Sequence, residues 1–397
     1  MAEKLMRTAV LSFYEAYPPV CGAAAVTYNV AKQLPGERLL IQLVEGRAGE
    51  AKQDKIARED FEIVDLPMRS SRHLAKALHL AVHFPRIAKL LKAFSPDWLI
   101  LEGASWTVYY LALFNFLKLR RAPYKILYHA HNVESLLRAG KNGRIVAALT
   151  KWAEGRLAHK ADIVTAVSEV DAGHFKRLYG VEPLILPNAV DADQFRDVSP
   201  ERVQAVRTKY GLSGKIALFM GLTNFRPNAE ALAFLLKDVF PALVGACPEA
   251  KLAVLGGRLD DRADWLINPG VIPFQEIPAF IKACDVCLAP IFSGSGTRLK
   301  ILEYMAAGRP VVATPKGAEG LGVRDGDNIV MAEDAHGFKN KILELFADPE
   351  RAAAIGRRGR DVVQEEYAWP AIIERFLPRL EKAVAKGSGK RGPDIQA

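Results

Sequence analysis

The chain has 397 residues, half of them hydrophobic and a quarter charged, with a formal net charge of +9. That length exceeds one ordinary domain and gives two domains room for separate cores, and no apolar run nears the roughly 18 residues that read as a membrane span. The basic excess favours anionic partners such as nucleotides or phospholipid, while the absence of zinc-finger and RRM-like patterns argues against nucleic acid. The apolar part of MAEKLMRTAVLSFY is too short for a signal peptide and passes into a strand-like run, so the cytoplasm is the expected compartment.

In chain order, RTAVLSFY (7–14) reads as a buried strand and CGAAAVTYNVAKQL (21–34) as a loop entering a helix. RLLIQLV (38–44), FEIVDLP (61–67), DWLILEG (97–103), KILYHAH (125–131), ADIVTAVS (161–168) and PLILPNA (183–189) are further strands. Continuous apolar strands alternating with helical periodicity predict a parallel sheet covered on both faces. The pattern then restarts, with strands at 214–221, 250–257, 270–274, 285–290 and 309–314 and helices at 228–243, 277–283 and 296–308. Asn228 suits an N-cap and Gly308 a helix stop. The expected fold is α/β, two Rossmann-like domains in series, 1–187 and 188–368, with ligands held in the cleft at the carboxyl ends of the strands. An amphipathic helix at 369–385 packs back on the first domain in this reading, and the polar tail 386–397 is expected to be disordered. Cys284 and Cys287 form a C-x-x-C with no second pair, which fits buried thiols better than zinc ligands.

The segment richest in chemistry is PIFSGSGTRLKILEYMAAGRPVVAT (290–314). The amides of Gly294, Ser295, Gly296 and Thr297 can converge on an anion at a helix start. Arg298 and Lys300 sit in the first turn, where the helix dipole disfavours cations unless an anion is bound. Glu303, further along, can accept hydrogen bonds from ribose hydroxyls. On the pattern alone, a glycine-rich turn before a surface helix explains the segment equally well.

L-E-Y-M-A-A-G-R-P-V-V-A-T (302–314) resembles the donor-binding signature of the retaining GT-B glycosyltransferases, in particular glycosyltransferase family 4. SEVDAGHF (168–175), LPNAVDADQF (186–195), FMGLTNFRPNAEAL (219–232) and VLGG (254–257) carry the resemblance across residues 7 to 380. It implies two domains whose sheets face across a cleft, and transfer of a sugar from a UDP- or GDP-sugar to a glycan or lipid-linked acceptor. A role in cell-surface polysaccharide or glycolipid synthesis and metal independence are further implications. It gives Glu303 the ribose, Gly22 and its loop the diphosphate, and His131, in HNVES, the role of active-site histidine. His129, two residues earlier on the same strand face, is the competing choice, and Gly22 taken alone can equally be a helix start.

Two departures stand out. The glutamate that the family carries eight residues before the ribose glutamate is Ser295 here, and the loop GLTNFRPN supplies only Arg226 of the usual cationic pair. Arg298 and Lys300 are therefore expected to hold the diphosphate in place of a metal, stabilising the charge that develops on the leaving group. D-A-D (191–193) and D-G-D (325–327) are read as turns rather than metal ligands. An epimerase on the same scaffold, or an inactive nucleotide-sugar-binding protein, are the alternatives. Asn188 reads as structural, and Glu319 has no assigned role.

Between Asp65 and Asp97 lie Arg69, Arg72, Lys76, Arg86, Lys89 and Lys92 without one acidic residue. Segment 69–92 reads either as the solvated face of a packed helix or as an anionic-membrane contact, with Pro85 expected to split the helix.

Overall fold

The structure is a computed structural model that describes residues 6–19, 22–45, 56–58, 61–68, 82–103, 107–139, 143–293 and 298–387. It divides into two compact units, residues 1–187 with 373–397, and residues 188–372.

The first unit is built on an eight-stranded sheet: β1 (Arg7–Ser12), β2 (Glu37–Glu45), β3 (Ile56–Arg58), β4 (Phe61–Met68), β5 (Trp98–Glu102), β6 (Lys125–Ala130), β7 (Ile163–Ala166) and β8 (Leu184–Ile185). Their spatial order is β3-β4-β2-β1-β5-β6-β7-β8. Every pairing is parallel except β3 with β4. Three-residue β3 is a departure from the all-parallel expectation, and it is too short to carry a readable period. Central β5 is buried along its whole length, as a strand covered on both faces must be. The strand order reverses between β1 and β5, which opens a crevice at their carboxyl ends.

The second unit has six parallel strands: β9 (Lys215–Met220), β10 (Ala250–Leu255), β11 (Leu266–Gly270), β12 (Val286–Ala289), β13 (Val311–Ala313) and β14 (Val330–Met331). The order β11-β10-β9-β12-β13-β14 puts the reversal between β9 and β12. Buried clusters on the two sheet faces, one around Leu218 and Met305 and one around Phe219 and Phe338, form its core.

Several boundaries move for local reasons. The strand expected at 270–274 lies at 266–270, because Gly270 turns with φ +77° and Pro273 precedes a short 3-10 turn at Phe274–Glu276. The helix expected from Asn228 starts at Arg226 behind Phe225, and Asn228 turns inward to other partners. It widens into a π segment, Leu235–Val239, that ends two residues before Pro241, whose ring would collide with the carbonyl four residues back in a regular helix. Pro85 lies in the first turn of the Phe84–Phe94 helix, just after a break at His83, the position where its missing N–H costs nothing, and residues 69–81 lie outside the described residues. The signature helix is Leu299–Ala306, with Arg298 at its N-cap, and Gly308 follows it at φ +70°. Cys284 and Cys287 are fully buried, their thiols pushed up by burial. The last helix runs Trp369–Gly387.

Candidate functional site

In the second unit the loops leaving β9 and β10 meet in close glycine contacts. A Cβ on Gly256 would stand 2.3 Å from the Gly221 carbonyl oxygen, and one on Gly257 would stand 2.1 Å from Thr223 Oγ1. A Cβ on Gly221 would stand 2.6 Å from Asn228 Nδ2 and 2.8 Å from Lys300 Nζ. Real Cβ atoms do not approach so closely, so a side chain at 221 would require Asn228 and Lys300 to shift from the end of β9.

Lys300 enters from the first turn of the Leu299–Ala306 helix. Its Nζ donates to Asn228 Oδ1 at 2.7 Å and sits 4.5 Å from the centre of the Phe219 ring. Among the described residues no carboxylate lies within ion-pair distance of it. Burial, reinforced by the neighbouring Arg298 charge, pushes the ammonium down to about 7. One turn later Glu303 is pushed up to about 7, mainly by burial against a smaller opposing pull from Lys300. No donor to its carboxylate is found among the described residues. A cation and a carboxylate three residues apart, each poorly solvated and neither neutralised, form a polar site whose energetics improve when an anion and hydroxyl donors arrive.

The helix is pinned from the other side: Tyr304 Oη accepts from the Met220 amide at 2.7 Å, tying it to the end of β9. Arg298 donates Nη2 to the Ser293 carbonyl at 3.2 Å. Arg226 is exposed and pairs with Glu230 at 2.7 Å, and Glu230 accepts from Ser293 Oγ at 2.6 Å. Arg226 is thus linked to the residue that precedes the glycine loop. Gly294, Ser295, Gly296 and Thr297 lie outside the described residues.

In the first unit the carboxyl ends of β1, β5 and β6 gather a second set of groups. Glu102 ends β5 and is completely buried. Its Oε1 lies 3.0 Å from His129 Nδ1, its Oε2 lies 2.6 Å from His131 Nε2, and Thr27 Oγ1 donates to it at 3.2 Å. Burial drives this carboxyl upward, and the two imidazoles outweigh it, leaving it at about 2 and ionised at neutral pH. An ionised carboxylate only accepts, so His129 carries its proton on Nδ1 and His131 on Nε2. Burial lowers the His131 imidazole, which keeps it neutral and leaves a lone pair on Nδ1. That atom is buried and has no partner among the described residues.

Both histidines therefore meet at one carboxylate. His129, fully buried, is spent on Glu102 in the sheet, whereas His131 stands just beyond the end of β6. Sequence reasoning missed Glu102. The signal was present in the parallel register, which places Glu102 beside His129, but register is a property of the folded sheet. Gly22 is exposed at the first position of the Gly22–Gln33 helix, directly after the β1 loop.

Glu102, His129 and His131 are also the one group among the described residues whose donor atoms lie within 4.8 Å of one another, close enough to share a metal ion. Each imidazole gives one nitrogen to the carboxylate, and the second nitrogens, His129 Nε2 and His131 Nδ1, are buried without a hydrogen-bond partner among the described residues. The two D-x-D motifs are engaged locally: Asp193 pairs with Arg196, Asp325 caps the Met331 amide and Asp327 pairs with Arg358. Asn188 is buried, and Glu319 forms an exposed pair with Lys316. Of the basic stretch, Arg86, Lys89 and Lys92 are exposed along the Phe84–Phe94 helix, and Arg69, Arg72 and Lys76 lie outside the described residues.

Comparison with known proteins agrees with both units. The Glycosyltransferase Family 4 profile matches residues 20–194 and the Glycosyl transferases group 1 profile matches residues 214–348. The chain is 27% identical over 349 residues to a GDP-mannose-dependent alpha-(1-6)-phosphatidylinositol monomannoside mannosyltransferase of Mycolicibacterium smegmatis, covering 81% of this chain and 85% of that protein. It is 26% identical over 244 residues to the monoacylated-substrate counterpart of Corynebacterium glutamicum, covering 57% of this chain and 64% of that protein. Among solved structures, sucrose-phosphate synthase from Thermosynechococcus elongatus superposes with a TM-score of 0.73 at 15% identity, over 96% of this chain and 100% of that one. Anabaena HepE in complex with UDP superposes with a TM-score of 0.68 at 16% identity, over 95% and 100%. Two Rossmann-like units with parallel sheets, each matched by a glycosyltransferase profile, make this chain a member of glycosyltransferase family 4, with the GT-B fold.

Proposed function

We propose that this protein is a retaining hexosyltransferase that moves a sugar from a nucleoside diphosphate to a lipid-linked or glycan acceptor without a metal ion. The observation that carries this reading is the Lys300–Glu303 pair at the β9–β12 reversal, a half-buried cation and carboxylate three residues apart with no ion-pair or hydrogen-bond partner for the carboxylate among the described residues. The relatives' names point to GDP-mannose and phosphatidylinositol mannosides, and solved neighbours of the same fold hold UDP.

In this mechanism the bond between the anomeric carbon and the diphosphate oxygen breaks as the acceptor oxygen bonds to the same face of that carbon. The acceptor proton passes to the departing phosphate. Arg298 and Lys300 stabilise the charge that grows on the leaving group, the kind of preorganised electrostatics that commonly contributes most to catalysis. Glu303 accepts from the ribose hydroxyls. His131, neutral and held by Glu102, offers Nδ1 as an acceptor for a sugar hydroxyl.

A lipid-borne acceptor is favoured by the surface of the first unit. The Gly143–Lys160 helix exposes Ile145, Leu149 and Trp152 at helical spacing. Between Glu134 and Asp162 the one acidic residue is buried Glu154, against six Lys and Arg. Apolar side chains flanked by cations suit an anionic lipid interface, and exposed Arg86, Lys89 and Lys92 extend the same chemistry.

The deciding experiment incubates the purified enzyme with radiolabelled GDP-mannose or UDP-glucose and extracted lipid, and assigns the anomeric configuration of the product by NMR. A product of inverted configuration, or an epimerised free nucleotide sugar with no transfer, would overturn the reading.

A further inference from the structure

The amino ends of the second sheet, opposite the Lys300 region, carry a different cluster. A cavity of about 390 Å³ there is lined by Lys215, Lys282, Arg309, Arg357 and Arg360, with Asp285 as its one carboxylate. Lys215 is the first residue of β9, and Arg309 and Asp285 precede β13 and β12. β9 is six residues long, so at ~3.3 Å per residue roughly 20 Å of strand separates this cavity from the glycine contacts around Gly221.

Among the described residues these cations have little carboxylate company: Asp285 is the one acid in the lining, and Arg360 makes a long, exposed pair with Asp361 at 3.8 Å. Asp285 accepts from the Ile216 amide at 2.7 Å. Lys215 donates to the Phe346 carbonyl at 3.1 Å, Arg309 to the Lys282 carbonyl, and Lys282 to the Arg196 carbonyl at 3.4 Å. These carbonyl bonds orient the side chains and leave their charge in place. Arg309 Nε is buried without a partner, and the Lys282 ammonium is pushed down by burial and by the Arg309 and Arg360 charges. The crowding is built in by backbone packing: a Cβ on Gly356 would stand 2.1 Å from the Gly308 carbonyl oxygen. That contact presses the Pro349–Val362 helix, which carries Arg357 and Arg360, onto the turn that carries Arg309. Leu345, Phe346 and Pro349 supply an apolar wall.

We propose that this cavity is a second anion site, separate from the donor site, which takes a compact phosphate ester: a phosphomonoester or diphosphate whose body lies on the Leu345–Phe346 wall. Convergent cations bind such groups strongly, and the volume falls within the ordinary range of small-molecule pockets. The ester comes from a free metabolite or from a lipid headgroup.

The test titrates inorganic pyrophosphate into the full-length chain carrying Arg298→Ala and Lys300→Met, which disables the donor site. One equivalent is expected to bind, and adding Arg357→Ser and Arg360→Ser, both at exposed positions, is expected to weaken binding at least tenfold with an unchanged circular dichroism spectrum. A parallel arm uses phosphatidic acid vesicles against phosphatidylcholine vesicles. Binding to the first that depends on Arg357 and Arg360, with none to pyrophosphate, supports the site and assigns it to a headgroup. No binding in either arm, or binding indifferent to Arg357 and Arg360, overturns the proposal. Failure of UDP or GDP to bind the wild-type chain bears on the donor site alone.

Discussion

Glu102 Oε2 lies 2.6 Å from His131 Nε2 while Oε1 of the same carboxylate lies 3.0 Å from His129 Nδ1. One buried charge thus sets the protonation of two imidazoles, and only one of them stands beyond the strand end. A buried ion without partners costs several kcal/mol, so Glu102 is tolerable because two imidazoles and Thr27 all point at it.

Glu102→Gln removes the charge and lets the amide donate as well as accept, so His131 is no longer held in one tautomer. Turnover is expected to fall about 10- to 100-fold, the loss typical when a partner that orients a functional histidine is removed, with little change in donor KM. Because the folded carboxyl is depressed to about 2 from its usual 4.5, its stabilisation is complete above pH 4.5. It is lost as pH falls from there towards 2. Thermal melts across that window should show a weaker acid dependence in Glu102→Gln; an identical profile would discount the charge.

Lys300→Met removes an uncompensated cation. The ordinary ammonium value is 10.5 and the folded one about 7, so the unfolded chain binds the extra proton and wild-type stability rises between pH 7 and 10.5. The variant should melt higher than wild type at pH 6 to 7, with the gap narrowing as pH climbs. Nucleoside diphosphate binding should weaken tenfold or more in the same protein. Stabilisation without loss of nucleotide affinity would remove Lys300 from the donor site.

Glu303→Gln separates the carboxylate's charge from its shape. The wild-type group is raised to about 7, so it gains acceptor strength as pH rises through neutrality. Lys300 loses its charge over the same range, so the wild-type pH slope of UDP or GDP affinity is a sum of two opposed effects. Read by calorimetry from pH 6 to 8, affinity should fall more steeply in the variant, which keeps only the Lys300 part, than in the wild type.

Gly221→Ala would bring a methyl group to within 2.8 Å of Lys300 Nζ and 2.6 Å of Asn228 Nδ2. Overpacking of this kind costs about 1–3 kcal/mol, and here it also displaces Lys300. A denaturant midpoint equal to that of wild type, with donor KM unaltered, would show that the turn has slack.

If Glu102, His129 and His131 serve as a hydrogen-bonded triad, transferase activity should survive prolonged EDTA dialysis within about twofold. Loss of activity that Mn²⁺ or Zn²⁺ restores would assign the three residues to a metal instead.

Much of this protein was readable along the chain. The alternation of apolar strands with helices, restarting near residue 214, specifies two covered parallel sheets, because periodicity and burial are local consequences of composition. That Lys300 and Glu303 lie about one turn apart was likewise legible, since both sit on one short helix with Arg298 at its N-cap. Folding alone decided what depended on register and on approach between distant segments. Glu102 meets His129 and His131 across 27 and 29 residues of sequence only because β5 and β6 pair in parallel, and Lys300 reaches Asn228 across 72 at a point where a side chain on Gly221 would require both to shift. Pattern records which face a residue occupies; the residue it meets on that face is chosen when the strands and helices close together.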